Sequence, residues 1–239
     1  MIAKNKTAAL AVALALSAMG LGGCATSGNQ RDPIEGFNRA IYSFNEGLDK
    51  VAFKPVAQGY EAVLPSPVRT GVGNFFGNIA DVFIGVNNLF QGKVPDSFSD
   101  FGRFAVNSTI GILGVFDVAS GMGLDKHEED FGQTFGRWGV GSGAYVVLPV
   151  FGPRTVRDTV GLAADLYVDP VARVSNVPTR NTLIVTRFIN DRAVLLPADK
   201  VIEEAALDKY SYVRDAYLQR RRNLIHDGSL PRGADSADE

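Results

Sequence analysis

Disulfides, metal clusters and haem are excluded first, because this chain of 239 residues has one cysteine and two histidines. A lone thiol cannot form an intrachain disulfide, and so few soft ligands leave nothing for a structural zinc or haem site. A surplus of charge is missing too: 24 basic residues stand against 26 acidic ones. Nucleic-acid binding needs a basic face, so no nucleic acid is expected as a partner. Beyond residue 23 no uninterrupted apolar run reaches the roughly 18–20 residues of a membrane-spanning helix. There is no G-x-S-x-G elbow and no Walker A loop. Gly139-x-Gly141-x-x-Ala144 matches a dinucleotide fingerprint in letters only, because that motif needs a strand before it and a helix after it. Here Gly136-Arg137-Trp138 precedes it and a valine-rich run ending at Pro149 follows, so it reads as a flexible turn. No catalytic residue, metal or cofactor is expected. What the chain has in excess is glycine, 26 residues, above the usual share of about 7%.

The first 24 residues read as an address. Lys4 and Lys6 precede an uncharged stretch from Thr7 to Gly23, the layout of a signal peptide. Leu21-Gly22-Gly23-Cys24 resembles the lipobox of bacterial lipoproteins, in which the cysteine takes a diacylglycerol, is acylated with palmitate-type chains and becomes the first mature residue. Each buried acyl CH₂ contributes about 0.8 kcal/mol, so two or three chains anchor firmly where one does not. Ala25 in place of Asp, by resemblance to the enterobacterial sorting rule, favours the outer membrane. The expected division is a signal peptide 1–23, a polar tether 24–31, a helical domain 32–228 and a disordered tail 229–239.

Helical spacing dominates the domain. Asp32 is the expected cap, Pro33 the first helical position and Glu35 the capping-box acid. Ile34, Phe37, Ile41, Phe44 and Leu48 then form one apolar stripe. A short helix is expected over 56–64. A long one follows Ser66-Pro67, with apolar positions from Val68 to Leu89 and a second line at Phe76, Phe83 and Phe90. It is apolar over much of its circumference and should be buried or lipid-facing. Further helices are expected from Pro95 to Thr109, from Val156 to before Pro170, from Thr179 or Asn181 to Leu196, in a short piece from Pro197, and at the end through Tyr210, Val213 and Tyr217. The segment 131–151 carries five glycines among Phe131, Phe135, Trp138 and Tyr145, which predicts a bent, hairpin-like excursion. His127 reads as part of a solvated turn. Arg220-Arg221-Arg222 has two readings, a contact to lipid phosphates or a solvated face at a helix end.

Ordered motifs then carry a resemblance. Asp32-Pro33-Ile34-Glu35-Gly36-Phe37-Asn38-Arg39 is followed by Asn74-Phe75-Phe76-Gly77-Asn78, Leu89-Phe90-Gln91-Gly92 and Arg103-Phe104-x-x-Asn107-Ser108-Thr109. Gly114-Val115-Phe116-Asp117, Asp130-Phe131-Gly132-Gln133-Thr134-Phe135-Gly136 and Val213-Arg214-Asp215-Ala216-Tyr217-Leu218-Gln219-Arg220-Arg221 continue it. The chain resembles the VacJ lipoprotein family, also called MlaA, from Asp32 to Gly228, departing at Ala144, where that family usually has Pro.

The resemblance implies an all-α fold: a ring-shaped, multi-helix single domain embedded in one membrane leaflet, on the periplasmic side of the outer membrane of a Gram-negative bacterium. It implies removal of mislocalised glycerophospholipids from the outer leaflet through a polar channel, association with a trimeric outer-membrane porin, and delivery to a periplasmic lipid-shuttle protein, with no bond chemistry. Phe75, Phe76, Phe83 and Phe90 are the expected lipid-facing rim. Phe131, Gly132, Phe135, Trp138, Gly139, Gly141, Gly143 and Tyr145 form the expected channel or hinge segment, and Arg137, Arg154 and Arg157 the expected headgroup contacts. The alternatives are a structural porin-associated lipoprotein and a periplasmic lipid hydrolase.

Overall fold

The computed structural model describes residues 31–229; the signal segment 1–23, Cys24, the tether as far as residue 30 and the tail from 230 lie outside it. Helices dominate the described residues. They are α1 (Glu35–Leu48), α2 (Lys54–Val63), α3 (Ser66–Phe90), α4 (Val94–Thr109), the one-turn α5 (Val118–Gly121), α6 (Phe131–Arg137), α7 (Val156–Val168), α8 (Val177–Ala205) and α9 (Lys209–Ile225). A π-turn, Asp49–Phe53, joins α1 to α2, and a 3₁₀ turn, Val171–Arg173, precedes α8. One antiparallel hairpin, β1 (Tyr145–Leu148) and β2 (Gly152–Thr155), pairs Tyr145 with Thr155 and Leu148 with Gly152. The fold is mostly helical, as expected, with the excursion after residue 131 divided between α6 and this hairpin.

Most boundaries follow the sequence signals. α3 starts after Pro65 with Pro67 in its first turn, and α4 starts with Pro95 likewise placed. α8 departs from expectation: it continues through Pro197 instead of stopping at Leu196. α1 departs too. Asp32 does not cap it. Its carboxylate is fully buried and accepts from Asn38 Nδ2 at 2.8 Å, from the Tyr210 hydroxyl and from Arg214 Nη1 at 3.3 Å. The first residues of the domain are thereby fastened to its last helix.

The apolar stripe of α1 does not mark the packed side. Phe37 and Phe44 are 49% and 56% exposed, while Asn38 is fully buried. Two asparagines seven residues apart, on one face of the helix, serve the outer edge of β1. Asn38 donates to Tyr145 O and accepts from Val147 N, both at 2.9 Å. Asn45 donates to Leu148 O at 2.9 Å and accepts from Val150 N at 2.8 Å. An edge strand presents unpaired backbone groups, and here side-chain amides take the place of a neighbouring strand. The second bond also holds Val150 at φ +68°, costly for a β-branched residue.

The same inversion runs through the chain. Among the described residues eighteen polar or charged side chains are buried against ten apolar ones, the reverse of the usual order in water-soluble proteins. Ile112, Leu113, Phe116, Phe98 and Tyr167 are exposed, as are many other large apolar side chains. No described helix is long and apolar enough to cross a membrane.

Candidate functional site

A cavity of about 510 Å³ opens between α3, the segment before α6, α7 and α9. One wall is the apolar face of α3, with Phe76, Ile79, Ala80, Phe83 and Ile84. The other is polar and carries both signs of charge: Glu129, Asp130, Asp165 and Asp169 beside Arg154, Arg187 and Arg221. An amphiphile needs two such walls, one for its apolar part and one for its polar head.

Behind the polar wall lies a buried ion cluster. Arg221 Nη1 and Nη2 reach Asp130 at 2.6 and 2.9 Å, and Nη2 also reaches Asp158 at 2.9 Å. Arg157 adds two bonds of 3.2 Å to the same oxygen of Asp158, and the Tyr217 hydroxyl donates to its other oxygen at 2.7 Å. Burial alone raises the Asp130 and Asp158 carboxyls, but Arg221 and the donated hydrogen bonds outweigh it, and both lie below the usual carboxylate range. Asp165 has no such partner: burial and the nearby Asp130 charge push it up to about 6, against one hydrogen bond from Phe131 N at 3.2 Å.

Glycine makes this cluster fit. A Cβ on Gly132 would stand 2.7 Å from both Arg221 Nη2 and Asp158 Oδ1, and one on Gly161 would stand 2.4 Å from Gly132 N. The two helices α6 and α7 therefore meet backbone to backbone, with the guanidinium above them. Gly132 is a close-approach residue inside a helix capped by Asp130, whose carboxylate accepts from Gln133 N at 2.8 Å. The missing Cβ leaves room for Arg221 and Asp158.

The expected site residues divide. Phe76 and Phe83 line the cavity, and Phe76, only 7% exposed, faces inward instead of forming a rim. Phe75 stacks edge-on against Phe76 at 5.2 Å, and both border a second, apolar cavity of about 990 Å³ with Val72, Val115 and Leu183. Phe90 is exposed and clusters with Phe131 and Trp138, whose indole Nε1 donates to Phe90 O at 2.9 Å; Phe135 stands between Phe131 and Trp138. Gly139, Gly141 and Gly143 lie in the exposed loop before β1, while Tyr145 is buried. Of the three arginines only Arg154 lines the cavity; Arg137 is exposed on α6, and Arg157 faces a different hollow. Arg187, Asp165 and Glu129 also line the two-walled cavity and carry no local signal in the sequence, since their neighbours come from distant segments. His127 is no solvated turn residue: its Nδ1 lies 2.9 Å from the buried Asp100. Among the described residues no group of His, Cys, Asp and Glu could hold a metal ion.

Fold and site together define a class: a helical protein that buries many polar side chains, exposes many large apolar ones and holds a cavity with one apolar and one polar wall. The MlaA lipoprotein family model matches residues 30–224. The intermembrane phospholipid transport system lipoprotein MlaA of Escherichia coli strain K12 is 38% identical over 91% of each chain. Its counterpart of the same description in Haemophilus influenzae is 30% identical over 97% of this chain and 96% of that one. A solved structure described under the structural basis for maintenance of bacterial outer membrane lipid asymmetry superposes with a TM-score of 0.71 at 34% identity, covering 81% of this chain and 98% of that one. The chain belongs to the MlaA lipoprotein family.

Proposed function

We propose that this protein is an outer-membrane lipoprotein of a Gram-negative bacterium that moves phospholipid between membranes and so maintains outer-membrane lipid asymmetry. It is a transport protein, not an enzyme. The observation that carries the finer reading is the two-walled cavity inside an inverted protein. A phospholipid flips slowly because its charged head must cross hydrocarbon. Arg154 and Arg187 offer the head a polar path while the α3 wall of Phe76, Ile79 and Phe83 faces the acyl chains. The apolar exterior of α1, including Phe37 and Phe44, suits burial in one leaflet.

In this reading the helices form a ring in the inner leaflet of the outer membrane, anchored through Cys24. Mislocalised glycerophospholipid is removed from the outer leaflet and passed to a periplasmic shuttle beside a trimeric porin. Mild detergent extraction followed by native mass spectrometry tests it. Intact phospholipid should co-purify, and reversing the charge of Arg154 and Arg187 together should raise outer-leaflet phospholipid. Protein free of lipid with unchanged asymmetry would leave only a porin scaffold.

A further inference from the structure

The two-walled cavity and the apolar cavity lie end to end along one stripe of α3. Val72, Phe76, Ile79 and Phe83 recur at helical spacing on one face. The first two border the apolar cavity of about 990 Å³, and the last three border the two-walled cavity of about 510 Å³. Helix α8 passes the same junction, with Leu183 and Thr186 on the apolar side and Arg187 on the charged side. Of the described residues at these two cavities, Phe76 alone borders both. Its ring is 7% exposed and meets Phe75 edge-on at 5.2 Å. The Arg187 guanidinium stands over its face, 6.0 Å from the ring centre, and pairs with Asp169. Charge reaches Phe76 from one side and stops there.

The far wall of the apolar cavity is the loop before α5, and it is pinned. A Cβ on Gly71 would stand 3.0 Å from Val115 Cγ1, Asn74 Nδ2 donates to Val115 O at 3.1 Å, and Arg103 holds Asp117. These contacts fix the distance between loop and helix and engage the Asn74 donor and the Asp117 carboxylate. Val72, Phe75, Phe116 and Leu183 then offer an apolar surface. Water gains little in such a space, and a charged head would lose its hydrogen bonds there, whereas an alkyl chain needs none. Resting on the transport reading, we propose that the apolar cavity holds an acyl chain of the phospholipid whose head lies in the two-walled cavity, and that Phe76 is the partition this chain passes. The head is then met by charge on one side of the ring, and the chain by apolar surface on the other.

The test uses the full lipidated chain in phosphatidylcholine nanodiscs, with a bimane fluorophore on Leu183→Cys in the apolar cavity or on Ala80→Cys in the two-walled one. The probes are phosphatidylcholine with a nitroxide quencher at the end of one acyl chain and phosphatidylcholine with the nitroxide on its head. The chain label should quench the Leu183→Cys reporter more than the Ala80→Cys reporter, and the head label should do the reverse. Phe76→Trp enlarges the partition. It should remove most chain-label quenching at Leu183→Cys and leave head-label quenching at Ala80→Cys. Phe76→Leu shrinks the partition without fitting a larger ring, and it should raise chain-label quenching at Leu183→Cys. Arg154→Gln, on the head side, should lower it. No quenching at Leu183→Cys overturns the proposal. So does quenching there that none of the three substitutions moves, which marks a bilayer chain entering from outside. In both cases head-label quenching at Ala80→Cys leaves the transport reading standing. If neither label reaches Ala80→Cys, the transport reading fails and the acyl site falls with it.

Discussion

Two of the buried arginine clusters among the described residues differ in what surrounds them. Arg103 of α4 is 1% exposed and binds both Asp117 oxygens at 3.1 and 3.0 Å, Ser120 Oγ at 2.9 Å and Leu124 O at 2.7 Å. All its partners fall within about twenty residues of chain, and Asn107 completes the set by accepting from Val118 N and Ala119 N. Only a void of about 70 Å³ remains beside it. The Arg221 cluster draws its partners from residues 63 and 91 positions away and stands between two cavities of about 510 and 480 Å³. The chemistry is the same. The first cluster folds a loop onto a helix, and the second forms a wall.

Breaking each cluster sharpens that difference. Arg103→Met takes the guanidinium from the fully buried Asp81 and the donor from Leu124 O and should cost about 3–5 kcal/mol, read by denaturant unfolding; a loss below about 1 kcal/mol would remove the scaffold role. Arg221→Met should cost less, about 2–3 kcal/mol, because Arg157 and Tyr217 still serve Asp158. Asp130→Asn added to it should recover part of the loss, and a double-mutant cycle checks this. Next is Asn38→Ala, which leaves the Tyr145 carbonyl and the Val147 N–H without their donor and acceptor. About 2 kcal/mol should be lost, with faster hydrogen exchange at Val147.

One further effect depends on pH. Asp165 holds its proton up to about 6 in the folded protein, above its unfolded value of 3.8. The folded state therefore binds the proton more tightly, and stability falls as pH rises through that window. Asp165→Asn removes the penalty. It should stabilise at pH 8 by at most about 3 kcal/mol, the equivalent of roughly two pKa units, and change nothing at pH 3, as thermal melts at the two pH values would show.

Local signals were read well. α3, α4 and α7 lie within a residue or two of their apolar spacing and proline marks. Signals that depend on distant partners were not. Asp32 has every local feature of a helix cap, but Tyr210 and Arg214 of α9 claim it. Glycines in 131–137 weaken a helix by propensity, yet Gly132 and Gly161 let two backbones touch around Arg221. The stripe of α1 gave the period but not its direction, because periodicity cannot tell whether the apolar side meets a core or a membrane. Of the residues that line the cavity, Phe76, Phe83 and Arg154 stand out in the sequence, the phenylalanines for an outward rim that Phe76 does not form, while Asp165 and Arg187 do not stand out.

Helix α8 runs for 29 residues and α3 for 25, about 43 and 37 Å at a rise of roughly 1.5 Å per residue. One leaflet offers half of a hydrocarbon core about 30 Å thick. In the proposed one-leaflet setting an upright α8 or α3 would rise far beyond that half-core. Lying flat instead, they would let helix length set the footprint of the molecule on the membrane, while helix width, about 10–12 Å, would set its draught.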